Sequence, residues 1–188
     1  IFKWILFYPK PFQHMNYNKI NLLIIGLFAL IPVLLLGQEN FDKKRIYPVP
    51  VGDKAGYIDY TGQLVIPSIY YHTRAFDPDN RAAIVSTGIK GSIKRKDGII
   101  DLQGNILVPM IYHSLRRIET IKDAYGDLYL ASIDKKYGVI NLANQIIIPL
   151  EYDYITPETD YFIVKKDGKV GVLNLSNEVV LSLEYDKI

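Results

Sequence analysis

Residues 54 to 67 read Lys54-Ala55-Gly56-Tyr57-Ile58-Asp59-Tyr60-Thr61-Gly62-Gln63-Leu64-Val65-Ile66-Pro67, and Tyr70 closes the stretch. Its skeleton is a Gly anchor, an Asp or Asn three residues on, a Gly or Asn at six and a Tyr at fourteen. The skeleton returns three more times, and its anchors Gly56, Gly98, Gly138 and Gly171 lie 42, 40 and 33 residues apart. A period of this size marks a stacked array or a propeller rather than a globular enzyme with one site.

The second unit runs from Gly98 through Asp101, Gly104, Ile106-Leu107-Val108 and Pro109 to Tyr112. The third carries Gly138, Asn141, Asn144, Ile146-Ile147-Ile148, Pro149 and Tyr152, and the fourth Gly171, Asn174, Asn177, Val179-Val180-Leu181, Ser182 and Tyr185. Asp59, Asp101, Asn141 and Asn174 open a four-residue turn in which a short side chain accepts a hydrogen bond from the backbone two residues on. Gly62, Gly104, Asn144 and Asn177 are the residue types that best tolerate a left-handed backbone. A type I turn followed by a left-handed residue is a common hairpin connection, so each unit contains a β-hairpin.

Both arms of each hairpin are rich in Ile, Val, Leu and Tyr, as strands are. The Pro after the second arm (Pro67, Pro109, Pro149) lacks a ladder donor and is expected to end that strand. A further apolar run precedes later anchors: Ala82-Ala83-Ile84-Val85, Leu128-Tyr129-Leu130-Ala131 and Tyr161-Phe162-Ile163-Val164. These predict a third strand per unit, joined in the last case by the turn Lys166-Asp167-Gly168-Lys169. No window in this region keeps a helical period. The expected fold is therefore all-β, a tandem array of antiparallel hairpins or three-stranded meanders, open in form. A small propeller is the alternative, with Arg45 to Val51 completing its last blade; propeller blades usually have four strands.

The repeat resembles the WG-repeat family, a β-rich bacterial repeat, over about residues 46 to 188. Gly56-Tyr57-Ile58-Asp59 with Val65-Ile66-Pro67, Gly98-Ile99-Ile100-Asp101 with Val108-Pro109, Gly138-Val139-Ile140-Asn141 with Tyr152-Asp153, and Gly171-Val172-Leu173-Asn174 with Tyr185-Asp186 carry the resemblance. The Trp that precedes the Gly in the family is replaced by Ala55, Asp97, Tyr137 and Val170. The resemblance implies a binding or scaffolding repeat without catalytic residues.

Ahead of the repeats, Ile20 to Gln38 is uncharged and almost wholly apolar, follows Lys19 and ends at the small Gly37 before Gln38-Glu39-Asn40. These flanks predict a helical secretory signal peptide over 15–37, beginning at Met15, with 38–45 a linker and 1–14 an upstream extension. A transmembrane anchor over 20–38 is the competing reading, because a span needs about twenty residues. The chain has no Cys, which excludes a lipid-modified cysteine and any disulfide. An exported protein, periplasmic, outer-surface or secreted, is expected, and the membrane enters only through this segment if it is uncleaved.

Of 22 basic and 20 acidic side chains, Lys3, Lys10 and Lys19 fall in the leader, so the remainder is close to neutral. Nothing supplies the basic stripe that nucleic acid requires. Lys94-Arg95-Lys96 and Arg116-Arg117 are read as solvated or strand-edge charges. His72 and His113 stand at different repeat offsets with no second ligand at metal spacing, and no nucleophile elbow, zinc-binding helix or phosphate-cradling loop occurs. Asp77 with Asp79, and Glu151 with Asp153, have the composition of a glycosidase acid pair and read more simply as solvated acids. No enzyme, cofactor or metal is expected.

Tyr70, Tyr112, Tyr152 and Tyr185 share one repeat position and are expected to form a core ladder, because aromatics dominate burial in small β cores. Tyr60, Tyr71, Tyr125 and Tyr154 do not recur and are the candidate surface for an unidentified protein or glycan ligand. Two functions follow: a non-enzymatic scaffold of the bacterial cell envelope, or the ancillary repeats of a longer envelope enzyme cut at Ile188.

Overall fold

The computed structural model describes residues 45–79, 81–88, 94–121 and 126–188. The expected extension 1–14, the signal helix 15–37, the linker short of Arg45, and Tyr125 lie outside the described residues. Lys43 to Ile188 forms one compact unit, and among its described residues every regular element is a strand.

The hairpin turn forms as its side chains dictate. Asp59 Oδ1 accepts from the amides of Thr61 (2.8 Å) and Gln63 (3.0 Å), and Asn141 Oδ1 from those of Ala143 (3.0 Å) and Gln145 (2.9 Å). Asp101 and Asn174 repeat the arrangement. The residue at six turns left-handed in all four units, with φ of 86° at Gly62, 82° at Gly104, 61° at Asn144 and 66° at Asn177.

The strands assemble into four antiparallel sheets in chain order. The first contains β1 (Tyr47–Val51), β2 (Lys54–Ile58) and β3 (Leu64–Tyr70). The second contains β4 (His72–Thr73), β5 (Ala82–Thr87), β6 (Lys96–Asp101) and β7 (Ile106–Tyr112). The third contains β8 (Ser114–Arg117), β9 (Leu128–Ile133), β10 (Lys136–Asn141) and β11 (Ile146–Tyr152). The fourth contains β12 (Tyr154–Pro157), β13 (Tyr161–Lys166), β14 (Lys169–Asn174) and β15 (Val179–Tyr185). Three sheets thus have four strands rather than the expected three. The extra strand is a short edge piece that begins two residues after the ladder Tyr.

The prolines do not end their strands. β3, β7 and β11 run through Pro67, Pro109 and Pro149 to the ladder Tyr. Tyr57 pairs with Ile66 and Ala55 with Tyr70, so two steps on β2 face four on β3, and the same bulge recurs in each unit. A residue inside a bulge on an edge strand owes no ladder donor, so Pro is tolerated there. The bulge also accounts for the anchors. A Cβ on Gly56, Gly98, Gly138 or Gly171 would sit 2.5 to 2.7 Å from the carbonyl oxygen of Ile66, Val108, Ile148 or Leu181. Glycine is there for close approach across the bulge.

Three cores lie between successive sheets. Tyr57, Ile66 and Tyr70 of the first sheet meet Ala83, Val85 and Ile100 of the second. Ile84, Ile99, Val108 and Tyr112 of the second meet Leu115, Tyr129, Ala131 and Ile140 of the third. Leu130, Val139, Ile148 and Tyr152 of the third meet Ile155, Phe162, Val164 and Leu173 of the fourth. Each large apolar side chain so buried contributes roughly 1.5–3 kcal/mol. Among the described residues no core joins the first sheet to the fourth, so the array is open. The ladder is confirmed for Tyr70, Tyr112 and Tyr152, which are buried, whereas Tyr185 is 42% exposed.

Candidate functional site

The junctions between sheets hold the polar groups. The residue after the ladder Tyr (Tyr71, His113, Asp153, Asp186) turns the chain from one sheet into the next. The first three of these donate their amide to the carbonyl of Ser86, Ser132 or Lys165 on the second strand of the following sheet, each at 2.8 Å. At His113, Asp153 and Asp186 the Lys two before the anchor joins the junction residue from the preceding sheet, whereas Lys54 reaches the Gly88 carbonyl instead. Lys136 Nζ lies 2.6 Å from Asp153 Oδ1, while the Asp167 amide of the next hairpin donates to Asp153 Oδ2 at 2.9 Å. The Lys136 ammonium first, then that amide, hold the Asp153 carboxyl below the usual carboxylate range. His113 stands in the same place, with Nε2 2.9 Å from Lys96 Nζ and Nδ1 3.0 Å from the Asp134 amide. A neutral imidazole has one acceptor nitrogen, so it satisfies one of those donors at a time. Tyr112 adds a further tie between sheets, its hydroxyl donating to Asn144 Oδ1 at 2.7 Å. Burial pushes the hydroxyl pKa values of Tyr70, Tyr112 and Tyr152 up, so these hydroxyls stay protonated donors.

The slot before each anchor, opposite the ladder Tyr in the sheet, differs from unit to unit. Asp97 fills it in the second sheet as a buried carboxylate, accepting from Ser86 Oγ at 2.7 Å and from the Leu115 amide of the third sheet at 3.2 Å, with Arg95 Nε at 3.3 Å. Tyr137 fills it in the third and Val170 in the fourth. In the first it holds the small, buried Ala55. There an open cleft of about 470 Å³ lies beside Ala55, walled by Pro48, Pro50 and Lys54 and by Tyr71, His72 and Thr73.

Of the described candidate tyrosines, Tyr71 alone borders this cleft. Tyr60 projects from the β2–β3 turn, and Tyr154 opens β12, where it is exposed. Tyr60 lies in a turn of the first sheet, Tyr71 at the junction to the second and Tyr154 in the fourth, so they do not make one platform. Nothing in the sequence pointed to Pro48 and Pro50 as walls; the Ala in the slot before Gly56 was the available signal.

A second cleft, of about 700 Å³, is bordered by Asp79, Arg117, Ile118, Glu119, Ile121 and Asp127. Arg117 is not a solvated edge charge there, as its sequence context suggested. It is largely covered, bonded to Asp77 and to Asp127 (2.6 Å), with Asp79 at 3.7 Å. Asp77 and Asp79 therefore serve an ion cluster, and Asp77 Oδ1 also accepts the Asp79 amide. Glu151 and Asp153 likewise pair with Lys166 and Lys136. Among the described residues no group of three His, Asp or Glu side chains is placed to hold a metal ion.

Fold and junctions together define a linear stack of β-sheets built from a repeated hairpin. The WG containing repeat model matches residues 56–88, 98–137 and 137–169, and the chain belongs to that family. The matches begin inside one sheet and end inside the next, so the sequence repeat spans a junction. A crystal structure of a protein of unknown function from Bacteroides caccae is similar at 15% identity and a TM-score of 0.29, covering 73% of this chain. The chain spans 56% of the length of that protein. No curated protein matches it.

Proposed function

We propose that this chain is an exported, non-enzymatic binding protein of the bacterial cell envelope, which holds a protein or glycan ligand in the cleft between its first and second sheets. The observation that carries the reading is the Ala55 slot, where a small side chain leaves a concave surface walled by two prolines and Tyr71. Binding sites favour such concave, mainly apolar surfaces with a few polar groups. Lys54, His72 and Asp53 supply those groups here. Export rests on the apolar segment 20–38 and its flanks, and the absence of catalysis on the ion pairing of the acid pairs described above.

Residues 43–188 sedimented with purified peptidoglycan sacculi test the reading. Retention is expected, and Tyr71→Ala is expected to weaken it about tenfold, the equivalent of about 1.4 kcal/mol. Retention unchanged by Tyr71→Ala, or release of soluble fragments from the sacculi, would refute it.

A further inference from the structure

Arg74 and Arg116 hold one repeat position, each four residues past a ladder Tyr, and Thr156 takes that place in the next unit. Backbone contacts fix both. The Arg74 amide donates to the Ile84 carbonyl at 3.1 Å and its carbonyl accepts the Tyr57 hydroxyl at 2.8 Å, while Arg116 lies in β8 opposite Leu130. The two residues therefore stand at the same edge of successive sheets, and packed sheets lie about 10 Å apart. Both border one crevice of about 180 Å³ between the second sheet and the third.

Arg117, Asp77 and Glu119 complete its charged lining. Arg117 is already satisfied, since Asp77 and Asp127 hold it, and Asp77 is thereby engaged as well. The side chains of Arg74, Arg116 and Glu119 differ: they are exposed and make no hydrogen bond or ion pair to any described residue. Two guanidinium groups that share a crevice without a counter-ion repel each other. An anionic group between them removes that repulsion and meets two planar forks, each suited to bidentate contact with a carboxylate. Glu119 has the opposite need, for a cation. Ala75 and Ile84 give the crevice an apolar part. Its volume equals that of about six waters at roughly 30 Å³ each, which suits a small molecule.

The geometry points to a site for a small aliphatic α-amino acid, with its carboxylate between Arg74 and Arg116, its ammonium on Glu119 and its side chain over Ala75 and Ile84. Such a zwitterion complements all three unpaired groups at once. A phosphate would satisfy the arginines but meet Glu119 as a like charge. The site shares no residue with the cleft beside Ala55 and is independent of the ligand proposed there.

Residues 43–188, which contain all three cores, are to be titrated with alanine and with valine while the Nε–Hε resonances of the arginines are followed by NMR. Saturable shifts at Arg74 and Arg116 are expected. Arg74→Gln and Arg116→Gln replace exposed side chains and leave the backbone contacts in place. Each is expected to weaken alanine binding about tenfold, the effect of losing one charged hydrogen-bond partner. Alaninamide, which lacks the carboxylate, is expected not to bind, and N-acetylalanine, which lacks the ammonium, to bind about tenfold more weakly than alanine. In Glu119→Gln the preference for alanine over N-acetylalanine is expected to vanish. The absence of saturable shifts with either amino acid overturns the proposal, as does an affinity for alanine unchanged in both arginine variants. N-acetylalanine or inorganic phosphate binding as tightly as alanine overturns it too, because the crevice would then hold anions in general and Glu119 would have no part.

Discussion

At the scale of the residue, the position three after each anchor needs one acceptor oxygen on a short side chain. Two units meet that need with Asp59 and Asp101 and two with Asn141 and Asn174, and all four make the same pair of backbone contacts. The chemistry differs only in titration. The Thr61 hydroxyl leads the groups that hold the Asp59 carboxyl below the usual range. At Asp101, desolvation pushes upward but is outweighed by hydrogen bonds from Asn105, Gln103 and Gly104. A group whose folded-state pKa is lowered adds stability that is fully present above its unfolded value, about 3.9 for Asp. That stability is lost as the pH falls through the folded value. Asn accepts the same amides without titrating. The double variant Asp59→Asn, Asp101→Asn should therefore have a flatter melting temperature between about pH 5 and about pH 2 than the parent, measured by circular dichroism. Parallel curves for the two proteins would show that these carboxylates carry none of the acid sensitivity. This level was fully legible in the sequence, because an Asx turn and a left-handed residue are local. The reason for the anchors was not: a glycine against Ile148 O or Leu181 O is a contact between strands, and only the bulge reveals it.

At the scale of the element, the short edge strands β4, β8 and β12 escaped the sequence for a physical reason. His72-Thr73 and Ser114-Leu115-Arg116-Arg117 offer at most one core side chain apiece, too few to show alternation, and Leu115 is buried only because the second sheet lies beneath it. The prolines misled in the opposite direction, because a missing donor is harmful only where the ladder calls for it. The cleft was half legible: Tyr71 was singled out, but Pro48 and Pro50 gain meaning only when the first sheet packs on the second and they border one cleft with His72 and Thr73. The polar link between sheets also belongs to this scale. Asp153 takes both the Lys136 ammonium and the Asp167 amide, while His113 faces Lys96 and Asp134 with one acceptor. His113→Asp should let the second junction accept both donors at once. A gain of about 0.5 kcal/mol is expected at this exposed position, read as a higher urea midpoint at unchanged slope. A loss of stability would mean that the imidazole ring contributes packing that the carboxylate does not replace.

At the scale of the whole molecule, the decisive fact is that each core joins only neighbours. Stability in such a stack is a sum of unit terms and nearest-neighbour interface terms. The third core holds all of the fourth sheet's buried side chains, Ile155, Phe162, Val164 and Leu173, and the first two cores draw none of theirs from beyond Leu150. Removing Asp153 to Ile188 therefore deletes one interface and leaves two intact. In a closed ring the same deletion would break two interfaces and open the circle. A chain of residues 43–152 is accordingly expected to keep its β-sheet circular dichroism and a cooperative urea transition. Its midpoint should fall, because Leu130, Val139, Ile148 and Tyr152 lose their cover, and its slope should fall by about a quarter, because denaturant sensitivity follows the surface exposed on unfolding. If 43–152 were unfolded without denaturant, the first two cores would depend on the fourth sheet, and nearest-neighbour additivity would be wrong for this array. A folded 43–152 would instead show that sheets can be lost from this end without dismantling the Ala55 cleft, since every residue bordering it precedes Arg74.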